Sequence, residues 1–285
     1  MKLRNVFPLI AVAVGLSVTA QAQSMTKGDI LVIVADGEVT ATDSASGVST
    51  PLLAGTRLQE GFTISTGPDS AASLALANGS LVNLSESTTM EIRRFRIVPT
   101  NVGFDRFTGL VAEPTRSDTR LYLQSGQLFG ETKPLADESA YLIQAELGTL
   151  RIVGTQWIFG SFADQVSAAI IEGLASLINN LNGSAQNIAE GMQLFIQKDA
   201  NGAFVFTDLQ NIDPSAVEAF NSQVQQFLAD GDGVLDSDGD GVPSGTGGGV
   251  PAGGGGGGGP AATGGFSSSV PAVDTSLLTP TPTEG

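Results

Sequence analysis

Five aspartates alternate with glycine or another small residue near the end of the chain, in the run Asp230-Gly231-Asp232-Gly233-Val234-Leu235-Asp236-Ser237-Asp238-Gly239-Asp240-Gly241. Carboxylates spaced in this way, with glycines that let the backbone turn tightly between them, can bring several hard oxygens onto one Ca²⁺. Asp230, Asp232, Asp236, Asp238 and Asp240 are therefore the candidate metal ligands and Ca²⁺ the expected cofactor; a solvated acidic linker is the other reading of the same run. Arg93, Arg94 and Arg96 form the one basic cluster, with Arg106, Arg116 and Arg120 downstream. They could seat an anionic saccharide or the acidic face of a partner through bidentate contacts. The alternation through Phe95 favours the plainer reading, exposed strand charges that offset local acidity. A glycosidase-type carboxylate pair needs only Asp and Glu, but no motif singles out two of the 29 acidic residues, and one Trp and two Tyr leave few platforms for sugar rings. Gly253 to Gly259 is no phosphate loop, because no strand precedes it, no helix follows it and it lacks the lysine that would meet a phosphate.

The chain has no histidine and no cysteine. A Ser-His-Asp triad, a thiol nucleophile, a thiolate or imidazole zinc site, a disulfide and an iron-sulfur cluster are all excluded by those two zeros. We expect no catalytic residues and no enzyme activity. Thirteen Lys plus Arg against 29 Asp plus Glu give a formal net charge of -16, which disfavours nucleic acid and anionic membrane surfaces as partners. The acidity is concentrated: Asp199 to Gly285 holds no Lys or Arg at all.

Lys2 and Arg4, the apolar stretch Val6 to Val18, and Ala20-Gln21-Ala22 before Gln23 read as a cleavable secretory signal over residues 1–22. An uncleaved anchor is the alternative, although the apolar run is short for a membrane span and no later segment approaches the required length. The expected location is the periplasm, the cell surface or the exterior, with no membrane span in the mature chain. Residues 243–285 are Gly-rich and then Pro/Ser/Thr-rich, too poor in apolar surface to offset chain entropy, and read as a disordered tail.

Between these ends, short β-branched or alternating runs are punctuated by turn residues. Asp29 to Ala35 ends at Asp36-Gly37, and Asn78-Gly79 predicts a hairpin that turns Leu74, Leu76, Val82 and Leu84 toward one core. Leu121-Tyr122-Leu123 before Ser125-Gly126, and Tyr141-Leu142-Ile143 before Leu147-Gly148, keep the same cadence. The expected class is all-β, a solenoid or sandwich. Phe162 to Leu181 fits either a helical face or a strand meeting a turn at Glu172-Gly173. Asp213 as N-cap and Pro214 at the first helical position predict one helix over 213–229, followed by the Asp-rich turn at 230–242.

The order of glycine-punctuated blocks resembles the FecR-type domain of bacterial envelope proteins. The blocks are Gly37-Glu38-Val39, Leu53 to Gly61 (LAGTRLQEG), Ile64 to Ser70 (ISTGPDS), Leu76 to Leu84 (LANGSLVNL), Leu123 to Leu128 (LQSGQL) and Arg151 to Trp157 (RIVGTQW), with Glu172-Gly173 and Ala189-Glu190-Gly191 following. The resemblance covers about residues 28–200, tips Phe162 to Leu181 toward strands, and implies an all-β envelope domain that binds or assembles with other proteins. Regulators of that family place a cytoplasmic segment and a membrane span before the domain; here a signal-like segment leads directly into it, which leaves sensing, interaction or scaffolding rather than sigma-factor control. The Asp run resembles one thrombospondin type 3 calcium repeat; its Asp236 to Gly241 start also matches an EF-hand loop, but Gly247 stands at the twelfth position where that loop needs Glu. The resulting expectation is an exported, non-enzymatic module whose partner is an envelope or surface protein. The alternative is a carbohydrate-binding or adhesive module, for which Trp157 and the arginine cluster must share an exposed face.

Overall fold

A computed structural model describes residues 24–235. In chain order it contains β1 (Thr26–Lys27), β2 (Ile30–Asp36), β3 (Val39–Asp43), β4 (Ser49–Pro51), β5 (Arg57–Leu58), β6 (Phe62–Thr66), β7 (Ala71–Leu76), β8 (Leu81–Leu84) and β9 (Thr89–Ile97). A short 3-10 turn, Phe104–Gly109, leads to β10 (Ser117–Thr132), β11 (Ala140–Gln144), β12 (Gly148–Phe162), β13 (Gln165–Asn179), β14 (Ala185–Ala189), β15 (Met192–Lys198), β16 (Phe204–Phe206), β17 (Gln210–Asn211) and the helix α1 (Pro214–Leu235). Among the described residues the fold is all-β with one helix, α1, at their C-terminal end. Among the described residues, no helix is long and apolar enough to cross a membrane.

The ladders form two layers joined by three long strands. One layer runs β2, β7, β8, then the second half of β10, the second half of β12, the first half of β13, and β15. The other runs β4, β3, β6, β9, the first half of β10, β11, the start of β12, the end of β13, and β14. All neighbours are antiparallel except β10 and β11. Between the layers lies one core in which Ile30, Leu74 and Val82 of the first meet Ile64, Phe95 and Leu150 of the second. The Asn78-Gly79 hairpin forms as predicted, and Leu74, Leu76, Val82 and Leu84 all enter this core.

β10, β12 and β13 pass from one layer to the other by bending, and glycine stands at each bend. Gly126 has φ +93, and a Cβ there would lie 2.6 Å from the Thr88 Cα. Ser125-Gly126 and Glu172-Gly173 read in the sequence as strand ends; in the fold they are interior to β10 and β13, which continue to Thr132 and Asn179. A positive-φ glycine serves a reversal and a bend equally well, and only the ladder on both sides of it distinguishes them.

A second core covers the outer face of the first layer, where α1 lays Phe220, Val224 and Phe227 over Leu31, Ile33, Phe129 and Ile158. The Phe129 and Phe220 rings meet edge to face, 5.9 Å apart and inclined at 69°. β7 and β8 are consequently buried on both faces and show no alternation. The same two-sided burial hides the alternation of the first half of β13, Val166 to Ile170, whereas its second half alternates from Leu174 to Asn179. Phe162 to Leu181 is strand β13 with its flanks, and the helical face fails because Leu174 and Leu181 are exposed.

The Asp213 carboxylate accepts from the Ser215 N–H at 2.8 Å and its hydroxyl at 2.7 Å, closing the helix start as the Asp-Pro pair predicts. The end departs from the prediction, for α1 runs to Leu235 rather than stopping at 229. Two glycines and two aspartates near the negative end of the helix dipole all oppose this. Packing prevails: a Cβ on Gly231 would lie 2.9 Å from the Ile33 Cβ, and Leu235 is buried.

Candidate functional site

Each arginine of the basic cluster is matched to an acid of the same chain. A register shift between Ile92 and Arg94 puts Arg93 and Arg94 side by side on the outer face of β9, while Phe95 turns inward. Arg94 lies 2.6 Å and Arg120 2.9 Å from the Asp118 carboxylate, and Arg116 lies 2.6 Å from Glu138. Arg93 pairs with Glu91 at 3.0 Å and stacks 3.5 Å over the Tyr122 ring. Arg106 faces Asp105 at 3.8 Å. An anionic saccharide would have to displace these pairs. Trp157 is fully buried, and its indole N–H donates to the Thr132 hydroxyl at 3.0 Å, so it offers no ring to a sugar.

Arg96 completes the row through Glu60, whose carboxylate accepts from the Arg96 guanidinium at 2.9 Å and from the Phe95 N–H at 3.2 Å. Burial raises the Glu60 carboxyl, but the hydrogen bonds from Arg96 and Phe95 and the charges of Arg96 and Lys27 outweigh it and hold the group below the ordinary glutamate value of 4.5. In the unfolded chain Glu60 takes up its proton at higher pH than in the folded one. Its contribution is therefore complete above about pH 4.5 and is lost as the pH falls through the depressed value. Urea unfolding of the native chain and of Glu60→Gln should show a gap at pH 7 that narrows at pH 3; a gap independent of pH would contradict the assignment.

The bends of β12 and β13 shape a surface groove of about 520 Å³. Between the pairs Ile152–Ala175 and Thr155–Gly173, two residues of β12, Val153 and Gly154, oppose the single Leu174 of β13. This bulge sets Gly154, Thr155 and Gln156 beside Glu172 and Gly173, and Glu131, Lys133 and Pro134, at and just past the end of β10 on the other side of β12, line the groove as well. Lys133 and Glu131 pair at 2.5 Å. Leu110 and Val111 form the rim, with Val111 87% exposed. Glu172, the Gln156 amide, an ion pair and two apolar rim residues make a surface suited to a peptide segment that supplies hydrogen bonds and one cation.

Glu113 fastens the rim. This buried carboxylate accepts from the Ser117 hydroxyl, from the Asn78 amide at 3.4 Å and from the Ala136 N–H at 2.8 Å, tying the Phe104-to-Arg116 segment to the connection between β10 and β11. Sequence reasoning found Gly154-Thr155-Gln156 and Glu172-Gly173 through the family blocks. It missed Glu113, Val111 and Lys133, which lie in irregular segments with no periodicity; an acid at one end of the Glu113-to-Ser117 stretch was the single signal.

The Asp run divides. Asp230 and Asp232 sit in the last turns of α1, two residues and hence about 200° apart around the axis, so their carboxylates diverge while the helix persists. Asp236, Asp238 and Asp240, and with them residues 243–285 and 1–22, lie outside the described residues.

Two glycine-bent layers with a groove at the bend define an all-β domain. Residues 62–176, from β6 into β13, match the family described as FecR protein. Two crystal structures of a candidate anti-sigma factor from Parabacteroides distasonis, at 1.65 and 2.50 Å resolution, are similar to this chain at 14% and 12% identity, each with a TM-score of 0.40. The similarity covers 56% and 59% of this chain, and 64% and 71% of those chains. The chain thus spans somewhat under two thirds of the first of them. No curated protein matches the chain in sequence.

Proposed function

We propose that this is an exported, non-enzymatic interaction module of the bacterial envelope, and that it engages a protein partner through the groove at the bend of β12 and β13. The observation that carries the reading is the FecR match over residues 62–176, because Gly154, Thr155, Gln156, Glu172 and Gly173 of that stretch line the groove. A sensing or scaffold role needs a surface that is rigid in backbone and variable in side chain, and a bulge held by glycines supplies one. A photo-crosslinking residue at Val111, activated in intact producing cells, should give one discrete adduct, and Glu172→Lys should abolish it. Adducts equally strong from a probe at Val205, on the distant β16, would overturn the proposal.

The calcium reading belongs to the same proposal as a separate module. Asp230 and Asp232 lie on the helix, so recruiting them as ligands beside Asp236, Asp238 and Asp240 requires the last helical turns to unwind. Calorimetry of the purified chain with Ca²⁺ should register heat in the sub-millimolar to millimolar range expected of a short extracellular-type site, and Asp238→Asn should remove it. No heat at millimolar Ca²⁺ would sink the idea.

A further inference from the structure

Unpaired sheet edges recruit further strands unless they are short, charged, interrupted by proline or covered. Most outer strands of this fold are blunted in one of those ways. β5 and β17 are two residues long and β16 three; β4 is three residues long and ends in Pro51; β1 is two residues long and carries Lys27. β14 is different. Its five residues, Ala185-Gln186-Asn187-Ile188-Ala189, include no proline and no charge, and they pair with β13 without a register shift. Ala185, Asn187 and Ala189 are exposed.

We propose that β14 is the surface on which a second copy of this chain pairs, β14 against β14, antiparallel about a two-fold axis at Asn187. The segment is its own complement in that register. Asn187 faces Asn187 of the second copy, Gln186 faces Ile188 and Ala185 faces Ala189, so small residues meet small ones. One step further out Ser184 faces Glu190, so no like charges stand opposite each other although each chain carries -16. A foreign strand bearing charge would find no counter-charge between Ala185 and Ala189.

The pairing also continues an exposed apolar row. Leu174, 49% exposed, stands beside Ala189, and Val153, 58% exposed, flanks Leu174 across the bulge. In the pair, Ala189 is followed by Ala185 and Ile178 of the second copy, because Ala185 stands beside Ile178 within each chain. One five-residue ladder and its flanking row make a small interface, which places the dimer among weak, reversible ones.

Because the chain has no cysteine, Asn187→Cys introduces a lone thiol. At the two-fold axis, two such residues are separated by about 4.5–5.5 Å between Cα atoms, within disulfide reach. Mild oxidation should convert most of this variant to a disulfide-linked dimer at micromolar concentration, while Asn201→Cys, in an exposed turn, stays monomeric. By sedimentation equilibrium the native chain should dimerise reversibly, Asn187→Lys should weaken dimerisation at least tenfold, and mixing Asn187→Lys with Asn187→Asp should restore a heterodimer. Circular dichroism of each variant checks that it is folded. A native chain that stays monomeric, a dimer unaffected by Asn187→Lys, or equal crosslinking of the two cysteine variants would overturn the proposal.

Discussion

Replacing Gly173 by alanine should lower the melting temperature by about 10 °C, from a cost of about 4 kcal/mol in a folded unit of this size. Two terms combine. Gly173 has φ +93, where an L side chain is strained by about 1–3 kcal/mol. A Cβ there would also lie 2.5 Å from the Gly154 carbonyl oxygen and 3.0 Å from the Thr155 Cγ2. The opposing backbone has nowhere to retreat, since a Cβ at Gly154 would itself stand 2.8 Å from the Pro134 Cα. Gly183→Ala separates the terms, for that residue has φ +72 with nothing within 4 Å of its Cβ position, and it should lose only the conformational part. Thermal melts followed by circular dichroism check the order; equal losses at the two positions would show that the close packing at the groove contributes nothing.

Trp157→Ala should destabilise the fold by about 3–5 kcal/mol, the range for emptying a large buried aromatic site. The indole lies wholly inside the core between the layers. It occupies space opened by Gly130, its cross-strand neighbour on β10, where a Cβ would lie 3.0 Å from the Trp157 ring and overlap the Leu81 carbonyl oxygen. Trp157→Phe keeps most of the apolar volume but removes the hydrogen bond to Thr132, and should cost less, about 1–2 kcal/mol. Urea unfolding gives both values. As the one tryptophan of the chain, Trp157 should also emit at short wavelength in the native state and shift on unfolding; emission at the wavelength of free indole in water would contradict its burial.

These two residues illustrate what could be read in advance. Glycine, threonine and tryptophan in Arg151 to Trp157 marked the segment through family likeness; Tyr141-Leu142-Ile143 before it was legible as a strand, while Phe162 to Leu181 after it needed the family likeness to lean toward strands. That Trp157 points inward was not, because a tryptophan in a strand suits an exposed platform and a core equally, and the deciding fact is a glycine 27 positions earlier that leaves it room. The arginine cluster behaves in the same way. Alternation through Phe95 placed Arg94 and Arg96 on the outer strand face, whereas the outward turn of Arg93 and the matching of Arg94 and Arg120 to the single Asp118 depend on the register of β9 against β10.

By itself the sequence determined what is local or compositional: the Asn78-Gly79 hairpin, the Asp213-Pro214 helix start, the all-β class, and the exclusion of thiol and imidazole chemistry. Tertiary structure decided what depends on a neighbour. Whether Gly126 and Gly173 end a strand or bend it, whether α1 stops at a glycine or packs Gly231 against Ile33, and which residues share a groove all depend on the layer that lies opposite. Backbone propensity offers those alternatives within a few kcal/mol of one another, and burial against a second layer supplies the difference.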